Sequence, residues 1–339
     1  MRVAINGYGR IGRSFLRAVH ESGVAAQLEI VAINEPAELE SMVYLTRFDS
    51  THGRFATSVD ALDDRLLVDG KPIAVTHATT PEGVDWSAHA IDVLVECSGL
   101  YGERAELERF LHAGCPRLLL SHPGASAADV DATVIRGVSE GQLNPHSRIV
   151  SNASCTTHAA VPALALLDEA FGIEHVLLTT LHSVMNDQPL IDGYHSFDLR
   201  RTRSAMQSII PVATGLARGI ERLLPALVGR VEAKAIRVPT PNVSAIDAVI
   251  TTRRAMSVEA IHAAVHEAAI GQFAGQLALT PGPRASIDFN HDVHAAVLDG
   301  SQTRLCGPQM VNLLLWFDNE WGFAHRLIDA LRLWAPHWR

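Results

Sequence analysis

The stretch Val3-Ala4-Ile5-Asn6-Gly7-Tyr8-Gly9-Arg10-Ile11-Gly12-Arg13 decides the reading of this sequence. A short apolar run of the kind that forms a buried strand ends at Asn6. Three glycines follow, Gly7-x-Gly9-x-x-Gly12, and open a helix-like stretch over Arg10–Ser22. In that setting each glycine has its own task. The first makes a tight turn, the second lets backbone approach a pyrophosphate, and the third lets helix and strand pack closely, while the helix N-terminus attracts phosphate. A second apolar run, Leu28–Asn34, leads into Glu35. A carboxylate there bonds the adenosine ribose hydroxyls and repels a 2′-phosphate, so Asn34-Glu35 favours NAD over NADP. Cys97-Ser98-Gly99 closes a later run and is placed to line the same crevice.

Outward from this motif the first half alternates apolar runs (Asp92–Ser98, Leu118–His122, Arg148–Ser151) with helix-like stretches such as Glu103–Ala113. Such alternation predicts an α/β fold, a Rossmann dinucleotide-binding domain with a mostly parallel sheet. In the second half longer strand-like runs dominate, at His175–His182, Glu232–Val238, Ala245–Thr252 and Val311–Phe317. Helical runs are expected near Thr156–Phe171, Ser208–Leu224 and Val258–Phe273. This pattern predicts an α+β catalytic domain with a mixed or antiparallel sheet. The expected division is 1–153 and 154–318, with an amphipathic C-terminal segment, 319–339, helical over Glu320–Leu333.

The chemistry is concentrated in Ser151-Asn152-Ala153-Ser154-Cys155-Thr156-Thr157, which runs from a strand into an apolar helix. Cys155 falls at the helix N-terminus, where the dipole and free amides are expected to lower a thiol's pKa and to hold an oxyanion. His182 ends a strand and is a candidate base for that thiol. Leu199-Arg200-Arg201-Thr202-Arg203 is a basic cluster in an acidic protein. Arg237, Thr214 and Gly215 stand at strand or helix ends suited to phosphate.

These stretches resemble the glyceraldehyde-3-phosphate dehydrogenase superfamily over essentially the whole chain. The resemblance rests on Ile5–Arg13, Phe48-Asp49-Ser50-Thr51-His52-Gly53-Arg54-Phe55, Ser151–Thr157 and Asp318-Asn319-Glu320-Trp321-Gly322-Phe323. Within it, the chain is more similar to the erythrose-4-phosphate dehydrogenase branch, through Ile33-Asn34-Glu35, Ser121-His122-Pro123-Gly124, His182-Ser183-Val184-Met185-Asn186-Asp187-Gln188 and Asp288-Phe289-Asn290-His291-Asp292. Met185 stands where the phosphorylating enzymes usually carry a phosphate-binding Thr, and Glu35 where they carry Asp. The resemblance implies Cys155 as nucleophile and His182 as its activator. It implies substrate contacts from Ser154, Thr156, Asp187, Arg201, Thr214, Gly215 and Arg237. For NAD it implies Gly7, Gly9, Arg10, Ile11, Gly12, Asn34, Glu35, Ser98, Gly99, Ser121 and Asn319. A homotetramer, a C-terminal helix packed on the cofactor domain and a supply of precursor for pyridoxal 5′-phosphate are also implied. The sequence departs from the family at His158, in place of Asn, at Thr79, near where an Arg often stands, and in a Tyr194–Asp198 stretch one residue longer than usual. A thioester on Cys155 is open to water and to phosphate alike, and the resemblance favours water. A phosphorylating glyceraldehyde-3-phosphate dehydrogenase is the nearest alternative, and a dinucleotide-binding regulator without catalysis is a third reading.

Composition narrows the classes further. A formal net charge of −9 over 339 residues weighs against nucleic-acid binding, which needs clustered Lys and Arg. No apolar run reaches the roughly 18–20 residues of a membrane span, and the N-terminus enters a strand-like run without the features of a signal peptide. A cytoplasmic location is expected, with Cys97, Cys115, Cys155 and Cys306 as free thiols. His291-x-x-His294 has no partner ligands nearby, so no metal is expected.

Overall fold

The computed structural model describes residues 1–338. It divides into two compact units, one formed by Met1–Ser154 with the chain from Ala324 onward, the other by Cys155–Phe323. Arg339, the last residue of the expected C-terminal segment, lies outside the described residues.

The first unit holds a nine-stranded sheet among the described residues. Its order is Ala132–Thr133, Ile149–Ser151, Leu118–Leu120, Val93–Glu96, Arg2–Asn6, Glu29–Asn34, Lys71–Thr76, Arg65–Val68 and Val59–Leu62. The first seven strands run parallel. Their apolar runs are buried on both faces, as a parallel sheet covered by helices requires. Leu94, Leu107, Phe110, Leu118, Leu120, Trp86 and Ile149 form one core. Each such side chain contributes about 1.5–3 kcal/mol by leaving water. Ala132–Thr133, Lys71–Thr76 and the last two strands lie outside the apolar runs read from sequence. Arg65–Val68 and Val59–Leu62 are antiparallel additions through tight turns at Asp63-Asp64 and Asp69-Gly70. Asp63, Asp69 and Gly70 all have positive φ, the conformation such hairpin turns need. The strands are only four residues long, and Asp60, Ala61 and Leu62 are exposed, which hid them from an apolar-run reading. The fold is thus the expected mixed α/β fold, a Rossmann-like parallel sheet followed by a mixed one.

Arg2–Asn6 has Glu29–Asn34 on one side and Val93–Glu96 on the other. The chain order reverses at that strand, and a crevice opens at the carboxyl ends of strands around such a switch point. Helix Arg10–Glu21 returns over the sheet, burying Phe15, Leu16, Ala18 and Val19. The C-terminal helix, Trp321–Trp334, buries Leu327, Leu331 and Trp334. Its Arg332 donates to Gln27 Oε1 at 2.9 Å.

The second unit is built on a mixed sheet in the order Ile210–Val212, Val231–Arg237, Ile173–His182, Ser244–Thr252, Met310–Phe317, Ala296–Asp299 and Leu277–Thr280. Its central pairings are antiparallel, but Ile173–His182 runs parallel to Val231–Arg237. The expected helix over Ser208–Leu224 is corrected: it begins only at Leu216, and Ile210–Val212 is an edge strand. Pro211 cannot supply an interior helix hydrogen bond, whereas an edge strand tolerates it. No helix among the described residues is long and apolar enough to cross a membrane.

Candidate active site

The first unit carries a cleft of about 290 Å³ at the switch point, lined among others by Gly7, Gly9, Asn34, Glu35, Thr79 and Ser98. The glycines explain its shape. Gly7 has φ +85°, and a Cβ on it would meet the Ser98 amide nitrogen at 2.5 Å. A Cβ on Gly12 would meet the Gly7 carbonyl oxygen at 2.3 Å. A Cβ on Gly9 would meet no protein atom within 4 Å. Two of the glycines therefore serve packing, and the third leaves open space at the mouth of a helix that has no capping side chain and no acid in its first turn. A helix N-terminus facing open space fits a pyrophosphate. Glu35 sits at one side, its Oε2 accepting from the Tyr8 amide at 2.7 Å and its Oε1 from the Ala37 amide at 3.2 Å.

Beneath the cleft runs a buried polar chain. Asn34 accepts from the Ala78 amide (2.9 Å) and donates to the Ala78 carbonyl (3.0 Å), which fixes its amide orientation. It donates to Asn6 Oδ1 at 2.8 Å, so Asn6 must turn its own NH₂ toward Glu96 Oε2. Glu96 Oε1 accepts from the Ser98 amide at 2.7 Å and from the Ser98 hydroxyl. Glu96 is fully buried, and burial raises its pKa against these hydrogen bonds. The sequence reading missed Glu96. Its signal was an acid ending the apolar run Val93-Leu94-Val95. Of the other expected cofactor residues, Arg10 pairs with Asp49, and Ser121 donates its amide to the Glu96 carbonyl. Ile11 lies in the first turn of helix Arg10–Glu21, and Gly99 follows Ser98 with φ +70°. Asn319 belongs to the second unit, where its Oδ1 accepts from the hydroxyls of Ser183 (2.9 Å) and Ser244 (2.8 Å).

Cys155 opens helix Cys155–Phe171. The turn before it places Ala153 at φ +53°, a left-handed conformation costing a non-glycine residue about 1–2 kcal/mol. Ser151 Oγ holds that turn by accepting from the Ala153 amide at 3.0 Å while donating to the His122 carbonyl at 2.9 Å. Ser154 and Thr156 flank the thiol and are half-buried like it. His182, the last residue of its strand, brings Nε2 to 3.8 Å from Sγ of Cys155. Its Nδ1 lies 2.8 Å from the Ser183 carbonyl. That carbonyl only accepts, so Nδ1 carries the proton and Nε2 offers its lone pair to the thiol.

Electrostatics correct one expectation. Burial pushes the Cys155 thiol up to about 12, against the amides of Thr156 and Cys155, and Asp318 and Glu320 raise it further. Burial likewise lowers His182, with Arg237 in the same direction and the Ser183 carbonyl, Asp187 and Glu320 opposed. Desolvation therefore outweighs the helix N-terminus, and the resting pair is a neutral thiol beside a neutral imidazole.

Beside His182 lies a cluster of charged side chains. Arg237 ends the neighbouring strand, in register with His182. Its guanidinium is buried and faces Asp187, and Nη2 also lies 3.5 Å from the Met185 sulfur. Arg201 donates to the same carboxylate at 2.9 Å. Burial works to raise the Asp187 carboxyl, but Arg237 and Arg201 outweigh it and hold it below its ordinary value. Arg201 is thus the member of the basic run that reaches this cluster, whereas exposed Arg203 pairs with Asp192. Thr214 and Gly215 precede helix Leu216–Leu223, where Thr214 Oγ1 accepts from the Leu216 amide at 3.2 Å. That helix comes close to the one carrying Cys155, since a Cβ on Gly219 would touch Thr157 Oγ1 at 3.0 Å. His158 packs edge-on against Phe323, His291 stacks on Trp321, and His294 pairs with Asp292.

Comparison with known families agrees with both halves of this picture. Residues 1–104 match the glyceraldehyde 3-phosphate dehydrogenase NAD binding domain, and residues 154–319 match the glyceraldehyde 3-phosphate dehydrogenase C-terminal domain. The chain belongs to the glyceraldehyde 3-phosphate dehydrogenase family, and is an NAD-dependent oxidoreductase acting on aldehydes.

Proposed function

We propose that this chain oxidises D-erythrose 4-phosphate to 4-phospho-D-erythronate and releases the acyl group to water, feeding the synthesis of pyridoxal 5′-phosphate. The observation that carries this reading is the Arg237 environment. Its guanidinium faces Met185 and Asp187, not a hydroxyl that would help hold a phosphate. The resemblance of residues 182–188 to the erythrose-4-phosphate branch supports the same substrate.

In this mechanism His182 Nε2 takes the thiol proton as Sγ of Cys155 bonds to the aldehyde carbon. Helix amides at Cys155 and Thr156 hold the oxyanion, which regains a proton from the imidazolium. His182 then removes the hydroxyl proton of the hemithioacetal as the carbon is oxidised to a thioester. NAD, when bound, supplies the hydride acceptor for that step. Gly7, Gly9, Arg10, Ile11, Gly12, Asn34, Glu35, Ser98, Gly99 and Ser121 would hold or shape its site, and Asn319 would be the partner of its carboxamide. Ser154, Thr156, Asp187, Arg201, Thr214, Gly215 and Arg237 bind the phosphorylated substrate.

The assembly proposed is a cytoplasmic homotetramer with no nucleic-acid or membrane partner. Four free thiols suit a reducing compartment. Ile191, Tyr194, Phe197, Leu199 and Ile209 are all strongly exposed, which suits subunit contact. The deciding test follows NADH formation with erythrose 4-phosphate and with glyceraldehyde 3-phosphate, each with and without inorganic phosphate. Preference for the first aldehyde without a phosphate requirement is expected. Preference for the second with strict phosphate dependence would replace this reading by the phosphorylating one.

A further inference from the structure

We infer that Ser183 and Ser244 are positioning residues for the cofactor. Their two hydroxyls lock the Asn319 side-chain amide with its oxygen inward, so that Asn319 offers a ligand only hydrogen-bond donors, and Ser183 ties this lock to the base His182. The inference deepens the proposed function and rests on it for the contact between Asn319 and the nicotinamide carboxamide.

Three neighbouring strands bring these residues together. Ile173–His182 and Met310–Phe317 both run antiparallel to Ser244–Thr252, which lies between them. The carboxyl ends of the outer two therefore meet the amino end of the middle one, with Leu181 opposite Ala245 and Phe317 opposite Ser244. Ser183 follows the first strand directly, and Asn319 lies just past the last.

Ser183 Oγ donates to Asn319 Oδ1 at 2.9 Å, and Ser244 Oγ donates to the same oxygen at 2.8 Å. Ser244 Oγ also accepts from the Ser183 amide at 3.1 Å. The Ser183 carbonyl lies 2.8 Å from His182 Nδ1. Both serines are fully buried, whereas Asn319 is half-buried. A serine hydroxyl has one proton to give. Among the described residues neither hydroxyl has an acceptor other than Asn319 Oδ1. Turning the amide over would set its NH₂ against both oxygens and strand two buried O–H donors with no water to take them, which is costly. The amide oxygen is thus committed to the serines, and only the NH₂ is left for a ligand. Such a group selects an acceptor: the carbonyl oxygen of a carboxamide fits it, and the carboxamide NH₂ does not. An amide already fixed also needs no ordering when the cofactor arrives. Ser183 serves both functions at once, its carbonyl setting the tautomer of the base and its hydroxyl the orientation of the cofactor anchor.

The test is Ser183→Ala, which removes the hydroxyl and keeps the carbonyl, beside Ser244→Ala, which removes one donor to Asn319 and the acceptor of the Ser183 amide. NAD, and ADP-ribose as a ligand without nicotinamide, are titrated calorimetrically into each protein. Alkylation of Cys155 by iodoacetamide is followed by mass spectrometry in the absence of NAD. Ser183→Ala is expected to weaken NAD binding about three- to tenfold while ADP-ribose stays within about twofold. Its Cys155 should be alkylated at the wild-type rate, because His182 keeps its carbonyl partner. Ser244→Ala should weaken NAD selectively too, and should slow alkylation because Ser183 itself is loosened. Unchanged NAD affinity in Ser183→Ala, or equal loss of NAD and ADP-ribose, overturns the inference. Alkylation at the wild-type rate in Ser244→Ala overturns the tie to His182. Asn319→Asp keeps an acceptor toward both serines and exchanges the donor for a second acceptor. Unchanged NAD affinity in that variant removes the Asn319 contact and the inference with it. Selective loss of NAD there, with none in the serine variants, leaves the contact standing and overturns the lock. None of these readouts involves the aldehyde, so the choice between erythrose 4-phosphate and glyceraldehyde 3-phosphate does not bear on them.

Discussion

The imidazole of His182 is held by its own neighbour, Ser183. Nδ1 lies 2.8 Å from the Ser183 carbonyl, and the opposite nitrogen points at Cys155 Sγ from 3.8 Å. The Ser183 amide is fixed in turn by donating to Ser244 Oγ at 3.1 Å. One backbone carbonyl therefore sets the tautomer that makes His182 a base toward the thiol.

Cys155→Ala is expected to abolish aldehyde oxidation while leaving NAD affinity within about twofold, because the dinucleotide cleft is built from other residues. Initial rates and a calorimetric NAD titration check both halves. Measurable turnover in this variant would end the covalent scheme.

The pH profile follows from the neutral pair. Burial lowers His182 below its ordinary 6.5 and raises Cys155 to about 12. A base with a lowered pKa stays unprotonated to lower pH, so the acid limb of kcat/KM for the aldehyde should have its midpoint below 6.5. His182→Asn should remove that limb, cut the neutral-pH rate by about 10²–10⁴-fold, and leave a rate that climbs toward alkaline pH as the thiol ionises. A wild-type midpoint above 6.5 would mean that burial does not lower His182.

Two glycines of the motif are expected to part company. At Gly9 a Cβ meets nothing of the protein, so Gly9→Ala should keep Tm and weaken NAD binding. At Gly12 it would press on the Gly7 carbonyl at 2.3 Å, so Gly12→Ala should lower Tm as well. Thermal denaturation and NAD titration of the two proteins, side by side, distinguish the roles. Equal loss of Tm in both would refute the assignment of Gly9 to ligand approach.

Glu96→Ala leaves the Asn6 amide and the Ser98 N–H without their acceptor beneath the cleft. Loss of about 2–4 kcal/mol of stability is expected from two stranded buried donors, together with weaker NAD binding. Glu96→Gln should recover part of both, since one oxygen still accepts. Urea unfolding measures the first and calorimetry the second. A stability change near zero in the alanine variant would mean that water replaces the carboxylate.

Contiguous sequence determined the features whose geometry is local. The strand–glycine–helix unit at 3–13 and the strand–turn–helix unit at 149–171 are each read within a few residues, because backbone turns and helix starts depend on near neighbours. Buried strands such as Val93–Glu96 were legible for the same reason, through uninterrupted apolar runs. The hairpins at 59–76 were not, because their strands are short and partly exposed, and only pairing with the sheet makes them strands. Likewise Pro211 becomes acceptable in Ile210–Val212 only because that strand lies at an edge.

Tertiary structure alone decided what depends on distance and burial. The register of Ile173–His182 against Val231–Arg237 brings His182 beside Arg237. The loops then close Asp187 on Arg201 and Arg237. The chain Asn34, Asn6, Glu96, Ser98 joins three strands in the middle of a sheet. The Cys155 thiol shows the limit most directly. Its place at a helix start is written in the sequence and favours the thiolate, yet desolvation by burial in the folded chain outweighs that local effect. Sequence neighbours set the dipole; the surrounding fold sets the dielectric.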